Sequence, residues 1–226
     1  MGLFKFRKYH RRDDLVFKTD HEKTTHFIHA LEKTSSADKA TVAFVHFKDS
    51  KEVLEQKLKN YRFFVFKGTW ERSKLSKIIN TWRNEIFIIT TDFLRSLQNS
   101  PVRLEKTHSS PLKLNCFAFE HYPVISRDKL IFDFLENLPV KSEISFYVSL
   151  EEPLLRNYTS DQFISTMETL GFNQGYVKSP LLTKSIENLQ KKIEKKVKQQ
   201  NLGYVETSVN SSLEWFKYNF HQSDLF

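Results

Sequence analysis

Residues 41–68 read TVAFVHFKDSKEVLEQKLKNYRFFVFKG, two apolar runs around a polar stretch of helical spacing. TVAFVHF (41–47) has no polar alternation, as expected of a strand covered on both faces. Asp49-Ser50 with Glu52 reads as a capping box, opening a helix over 50–60 with Val53, Leu54 and Leu58 on one side. RFFVFKG (62–68) is then a second covered strand. The pattern repeats once: SKLSKIINTW (73–82) predicts a helix with Leu75, Ile78, Ile79 and Trp82 inward, and EIFIIT (85–90) a third strand. Strand–helix–strand–helix–strand with short connections means a parallel sheet covered by helices.

Outward from this unit the reading continues on both sides. A loop holds Pro101 and Pro111, and LNCFAFEHY (114–122) reads as a fourth strand. DKLIFDFLENL (128–138) predicts a helix, SFYVSL (145–150) a fifth strand, and residues 160–170 a helix closed by Gly171. From about Ser179 to Gln200, Leu182, Ile186, Leu189, Ile193 and Val197 form one apolar stripe of a long helix. Its outer face carries Lys184, Lys191, Lys192, Lys195, Lys196 and Lys198, a candidate interaction surface. Among the last 25 residues, Trp215, Phe216 and Phe220 are expected to pack back on the body. Upstream, Thr19 or Asp20 can cap a helix reaching Lys33, with Phe27, Ile28 and Leu31 inward. Residues 1–14 alternate aromatics with Lys5, Arg7, Lys8, Arg11 and Arg12, and read as a mobile basic arm able to rest on anionic lipid or a partner. The division is therefore an arm (1–14), an α/β domain (15–178), and a helix with a packed tail (179–226).

Net charge is +8, which permits anionic partners without selecting one. No apolar run approaches the roughly 20 residues of a membrane span, and the N-terminus lacks the apolar core of a secretory signal. Phe6 stands where a myristoylation motif wants Ser or Thr. The lone cysteine, Cys116, allows no internal disulfide and is expected to be a buried, inert thiol in a reducing compartment. A cytoplasmic location follows as the expectation, which makes the sequons at Asn157 and Asn210 chance matches.

The chemistry motifs are sparse. Five glycines supply neither G-x-x-x-x-G-K-[ST] nor G-x-G-x-x-G, which argues against a self-contained nucleotide site. In HEKTTHFIH (21–29), His21 and His26 are five apart rather than four, and His26 with His29 has no third ligand nearby. Asp92 ends the third strand, where functional carboxylates often stand, but alone it reads as a cap. Glu151 and Glu152 precede Pro153 and read as a helix start rather than an acid–base pair. No catalytic, cofactor-binding or metal-ligating residue is assigned.

FYVSLEEPLLRNYTSDQFISTMETLGFNQG (146–175), then SPLLTKSIENLQKKIEKKV (179–197), resembles the preprotein translocase ATPase SecA. In that family the second nucleotide-binding domain ends in a strand like FYLSLEDDLM, and a scaffold helix follows with AIENAQKKVE. The matching residues are Phe146, Tyr147, Ser149, Leu150, Glu151, Leu154, Leu170, Gly171, Thr183, Ile186, Glu187, Asn188, Gln190, Lys191, Lys192 and Glu194. VFKTDHEK (16–23), VAFVHFKDSKEVLEQKL (42–58), FKGTWERSKLSKII (66–79), IFIITTDFLRSL (86–97) and FEHYPVISRDKL (119–130) fall into register more weakly, so the resemblance covers roughly 15–200. It implies a three-layer RecA-like α/β domain of the P-loop NTPase type, with a mainly parallel sheet followed by a long C-terminal helix.

The departures from that family bear on activity. Its ATP lies between two RecA-like domains, and neither the phosphate loop nor the magnesium carboxylates of the first are found here. Its arginine fingers come from a glycine- and arginine-rich segment, whereas FDFLENLPVKSEI (132–144) holds no arginine or glycine. Such a finger contributes a factor of about 10³–10⁵ that apolar and acidic side chains cannot replace. Phe93, Leu94 and Arg95 follow Asp92 where the family has AGRG. The resemblance thus implies a non-catalytic, cofactor-free module related to protein translocation, with SecA, the translocon or another cytosolic protein as partner. A helicase-like nucleic-acid module is the alternative, and a subunit completing another protein's ATP site is a second.

Overall fold

Along Ala40–Val45 (β3), Val42 and Phe44 point to one side of a sheet while Ala43 and Val45 point to the other, and all four are buried. A strand of this composition needs cover on both faces. The computed structural model, which describes residues 9–35, 40–66, 85–98, 114–138, 141–157, 161–171, 175–199 and 209–220, supplies it. On the Ala43 side lie α1 (Asp20–Ser35) and α2 (Lys48–Lys57), through Phe27, Leu31, Leu54 and Leu58. On the Val42 side lie α3 (Thr91–Gln98) and α4 (Ile125–Asn137), through Phe93, Leu97, Ile131 and Leu135.

The remaining strands are β1 (Tyr9–Arg11), β2 (Leu15–Phe17), β4 (Phe63–Phe66), β5 (Ile86–Thr90), β6 (Leu114–Ala118), β7 (Ser142–Ser149) and β8 (Tyr176–Lys178). Their order is β4-β5-β3-β6-β7-β2-β8, with β1 also on β7. All pairings are parallel except β2 with β8. This is the three-layer, mainly parallel α/β arrangement expected.

A third apolar cluster closes one end of the sheet. It is built by α5 (Pro153–Arg156), α6 (Asp161–Leu170), α7 (Pro180–Gln199) and α8 (Ser212–Asn219). Leu182, Ile186, Ile193 and Val197 of α7 are buried there with Trp215, Phe216 and Phe220, so the aromatic tail packs back as expected. Gly171 ends α6 with φ 77°, the left-handed conformation that suits a glycine C-cap. None of the described helices is long and apolar enough to cross a membrane.

Four expectations are corrected. Residues 9–14 are not a free arm: β1 and β2 both run along β7, because their alternating apolar residues complete its edge. Lys5, Arg7 and Lys8 lie outside the described residues, as does the 73–82 helix. The capping box at Asp49 does not form; Ser50 donates instead to Glu120 across the fold, and Phe47 is the N-cap. Val53 is exposed, since helical spacing sets it about 100° around α2 from Leu54, and Leu54 and Leu58 turn inward without it. The 114–122 strand stops at Ala118, where the chain bends so that Glu120 and His121 turn inward, and α4 starts at Ile125.

Candidate functional site

The β1–β2 edge contains an irregularity that creates the site. Tyr9 pairs with Ser142 and Leu15 with Tyr147, so six residue steps on the edge oppose five on β7. The extra residue is a bulge within Arg12–Asp14, and a bulge re-aims the side chains beside it. Asp14, the residue directly before β2, is thereby buried at 0% exposure, where a carboxylate on a regular strand edge would reach water.

Asp14 meets residues delivered by the carboxyl ends of other strands. His121 follows β6, its ring stacked flat on Phe146 with centroids 4.2 Å apart. It lies between two acids: Nδ1 is 2.6 Å from Asp128 Oδ2, and Nε2 is 3.1 Å from Asp14 Oδ2. Asp128, in the first turn of α4, also accepts from the Tyr122 amide at 3.0 Å and from Gln190 Nε2 at 2.7 Å. His46, just past β3, brings Nε2 to 2.9 Å of Asp128 Oδ1, close but poorly aimed for a hydrogen bond. Its Nδ1 is 3.2 Å from Thr91 Oγ1.

Helix α7 closes the network with three polar residues on its inner side. Thr183 Oγ1 accepts from the Asp14 amide at 2.8 Å, Glu187 pairs with Arg11, and Gln190 Nε2 donates to the Tyr122 carbonyl at 2.7 Å as well as to Asp128. Spaced four and three apart, they line one side of the helix beside its apolar stripe. Arg11 also reaches Asp14 at 3.3 Å.

A second polar group lies near the end of β7. Lys23 Nζ donates to Glu152 Oε1 at 2.6 Å and stands 4.2 Å from the Phe119 ring centroid. Glu152 is the N-cap residue of α5, with Pro153 in the first turn, but its carboxylate serves Lys23 and the Ser149 amide. Glu151 accepts from the Asp20 amide at 2.8 Å, at the start of α1 rather than of its own helix. Both glutamates therefore act at helix starts and pairings. Glu120, buried, accepts from the His46 and Phe47 amides at 3.1 and 3.3 Å and from Ser50 Oγ at 2.6 Å. It thus occupies the donors of the turn leading into α2.

Electrostatics fix the protonation states. Burial opposes charge on His121, but Asp14 and Asp128 outweigh it and push the pKa up to about 9. Burial likewise opposes charge on Asp128, yet the imidazole of His121 and its hydrogen bonds hold the carboxyl well below the usual carboxylate range. Burial pushes Glu152 up to about 7 against the pull of Lys23. At neutral pH His121 is an imidazolium with both nitrogens donating, 1% exposed, and so has no lone pair to offer a substrate. Chemically the arrangement is a clamp. It ties the edge strands, the β6–α4 turn and α7 into one unit.

The residues singled out by sequence lie elsewhere. Lys184, Lys191, Lys192, Lys195 and Lys198 are exposed on α7, and Lys196 is half-buried with Nζ 5.2 Å from the Phe220 ring centroid. Arg11, half-buried, is engaged with Glu187, and Arg12, exposed, with Glu143. Asp92 is exposed in the first turn of α3, where Thr90 Oγ1 accepts from the Phe93 amide. His21 and His29 are exposed, and His26 packs between Phe17 and Tyr176. Among the described residues no group of three His, Cys, Asp or Glu is arranged to hold a metal ion. Cys116 is buried and free, and burial pushes its thiol pKa up. The network residues Asp14, His46, His121 and Asp128 escaped sequence reading. A signal existed for α7, since Thr183, Glu187 and Gln190 are polar residues flanking its buried stripe.

No family model matches the chain. The translocase subunit SecA of Prosthecochloris aestuarii is 49% identical over 53 residues, 23% of this chain and 5% of that protein. SecA of Aliarcobacter butzleri is 45% identical over 53 residues, and that of Acidithiobacillus ferrooxidans 41% over 63 residues, covering 6% and 7% of those proteins. The match spans a small fraction of these relatives' length and about a quarter of this chain, much less than the 15–200 register of the resemblance. Among solved structures, the C-terminal part of the Fun30 ATPase domain aligns with TM-score 0.45 at 14% identity, over 76% of this chain and 54% of that one. The E. coli DEAD-box protein SrmB, bound to the regulator RraA, aligns with TM-score 0.38 at 15% identity, over 65% of this chain and 79% of that one.

Proposed function

We propose that this chain is a SecA-related, RecA-like domain without nucleotide chemistry, acting as a protein-interaction module connected with translocation. The observation that carries this reading is the state of the sheet's carboxyl end, where open α/β sheets bind their ligands. There the protein's own groups take up the binding capacity. Glu120 holds the amides and hydroxyl at the start of α2, donors of the kind that elsewhere receive phosphate. Asp14 and Asp128 are committed to His121, and Gln190 locks α7 over them. The SecA-like segment supports the translocation context.

Phosphate release from ATP, measured for the full chain alone and mixed with SecA from the same cell, is expected to stay at background in the first case and at the SecA rate in the second. Turnover by the chain alone, or a SecA rate raised by it but not by a denatured control, overturns the non-catalytic reading. Site-specific cross-linking in cells from exposed α7 positions is expected to yield adducts with a translocation component; a full scan without one removes the interaction reading.

A further inference from the structure

Helix α7 carries its lysines in an orderly row. At about 100° per residue, Lys184, Lys191, Lys195 and Lys198 fall within roughly 60° of arc and extend over about 21 Å of helix. All four are exposed. The helix beneath them is held by Ile186, Ile193, Val197 and the buried Gln190, so the row is presented on a fixed backbone. Along one flank run Glu187 and Glu194: Lys184 and Lys191 stand 3.8 and 4.0 Å from Glu187, and Lys198 2.7 Å from Glu194.

We infer that this row is the docking face for an acidic α-helix of a partner protein, whose carboxylates recur every three to four residues in register with the lysines. The inference rests on the interaction-module reading and names the class of partner. Charge complementarity selects it. A membrane surface requires a band of apolar side chains beside the basic ones, whereas α7 exposes Leu181 in its first turn and turns Leu182, Ile186, Ile193 and Val197 into the core. A nucleic-acid backbone would meet Glu187 and Glu194 along the flank, which repel phosphate. A partner helix avoids that cost, because its acidic stripe is as narrow as the lysine row and leaves the flank that holds the two glutamates uncovered.

The test uses the full chain and a fluorescent 21-residue helical peptide with Glu at 3- and 4-residue steps, followed by anisotropy at low and moderate salt. A peptide of the same composition with scrambled order, anionic phosphatidylserine vesicles and duplex DNA are the other arms. The expected result is saturable binding of the patterned peptide, at least 10-fold weaker scrambled. The K184E/K191E/K195E variant should lose at least 10-fold more, and its K-to-Q counterpart an intermediate amount. Both variants should keep the wild-type circular dichroism, since these side chains are exposed. Equal binding of both peptides, tighter binding of vesicles or DNA, or indifference to the triple substitution overturns the inference. ATP turnover would sink the non-catalytic reading without touching this result, and failure of the peptide would leave that reading standing.

Discussion

Gln190 donates to Asp128 Oδ2 at 2.7 Å and to the Tyr122 carbonyl at 2.7 Å, joining α7 to a turn that precedes it by 62 residues or more. Its amide is the direct polar link between the long helix and the turn after β6. Gln190→Leu keeps the volume but takes one donor from a buried carboxylate and one from the Tyr122 carbonyl. The expected loss is about 2–4 kcal/mol of unfolding free energy, the range for orphaned buried polar groups. Gln190→Glu should cost more, because it sets a second carboxylate against Asp128. Urea unfolding followed by tryptophan fluorescence reads both, with Trp215 buried in the same end cluster. A Gln190→Leu midpoint equal to wild type would contradict the clamp.

His121 makes stability pH-dependent in a definite direction. Its folded pKa of about 9 exceeds the ordinary 6.5, so its contribution is complete below about pH 6.5 and is lost as pH rises through 9. Glu152 acts with the same sign over a lower window, from its ordinary 4.5 to about 7. The urea midpoint should therefore fall steadily from mildly acidic to alkaline pH. His121→Gln should flatten the limb between pH 6.5 and 9, worth on the order of 3 kcal/mol, and leave the lower limb in place. Parallel wild-type and variant profiles above pH 6.5 would show that His121 is neutral in the fold.

The layers were legible because their signal is local. Runs such as Val42–Val45 and Ile86–Ile89 are apolar on both faces, and the α7 stripe recurs at helical spacing. The edge was not legible. Three-residue strands at Tyr9–Arg11, Leu15–Phe17 and Tyr176–Lys178 carry too little pattern, and the basic residues around β1 disguised it as an arm. The site was hidden for another reason. Asp14, His46, His121 and Asp128 are isolated polar residues whose meaning comes from strands converging at one end of the sheet, a tertiary fact. The bulge that buries Asp14 depends on register against β7, more than 120 residues away in the chain.

The Lys23–Glu152 pair should show how a buried ion pair differs from either half alone. Lys23→Met leaves Glu152 buried without its cation, and breaking such a pair costs about 3–5 kcal/mol. The loss should be larger at pH 8 than at pH 5.5, where Glu152 can take up a proton and shed its charge. Lys23→Met with Glu152→Leu removes both charges and should regain most of the stability, since an apolar pair of similar volume is often as stable. Thermal unfolding of the two single variants and the double variant at both pH values gives the coupling. A double variant no better than Lys23→Met alone at pH 8 would mean the cost lies in packing, not in the stranded carboxylate.

Gly175 sits at φ 79° just before β8, and a Cβ there would meet His26 Nε2 at 2.9 Å. Two costs are therefore combined at one position. A left-handed backbone strains any residue with a Cβ, by roughly 1–2 kcal/mol, and the contact presses on a ring packed between Phe17 and Tyr176. Gly175→Ala should destabilise by about 1–3 kcal/mol. His26→Ala in the same chain should relieve the contact but not the backbone strain, so the two substitutions should be less than additive while Gly175→Ala stays costly in the His26→Ala background. Hydrogen exchange of the Val16 and Val177 amides reads the same event locally, because they belong to the antiparallel β2–β8 pair. Faster exchange there, with β3 and β5 amides unchanged, is expected for Gly175→Ala. Strict additivity with His26→Ala would show that the ring moves aside freely and that the strain is confined to the backbone.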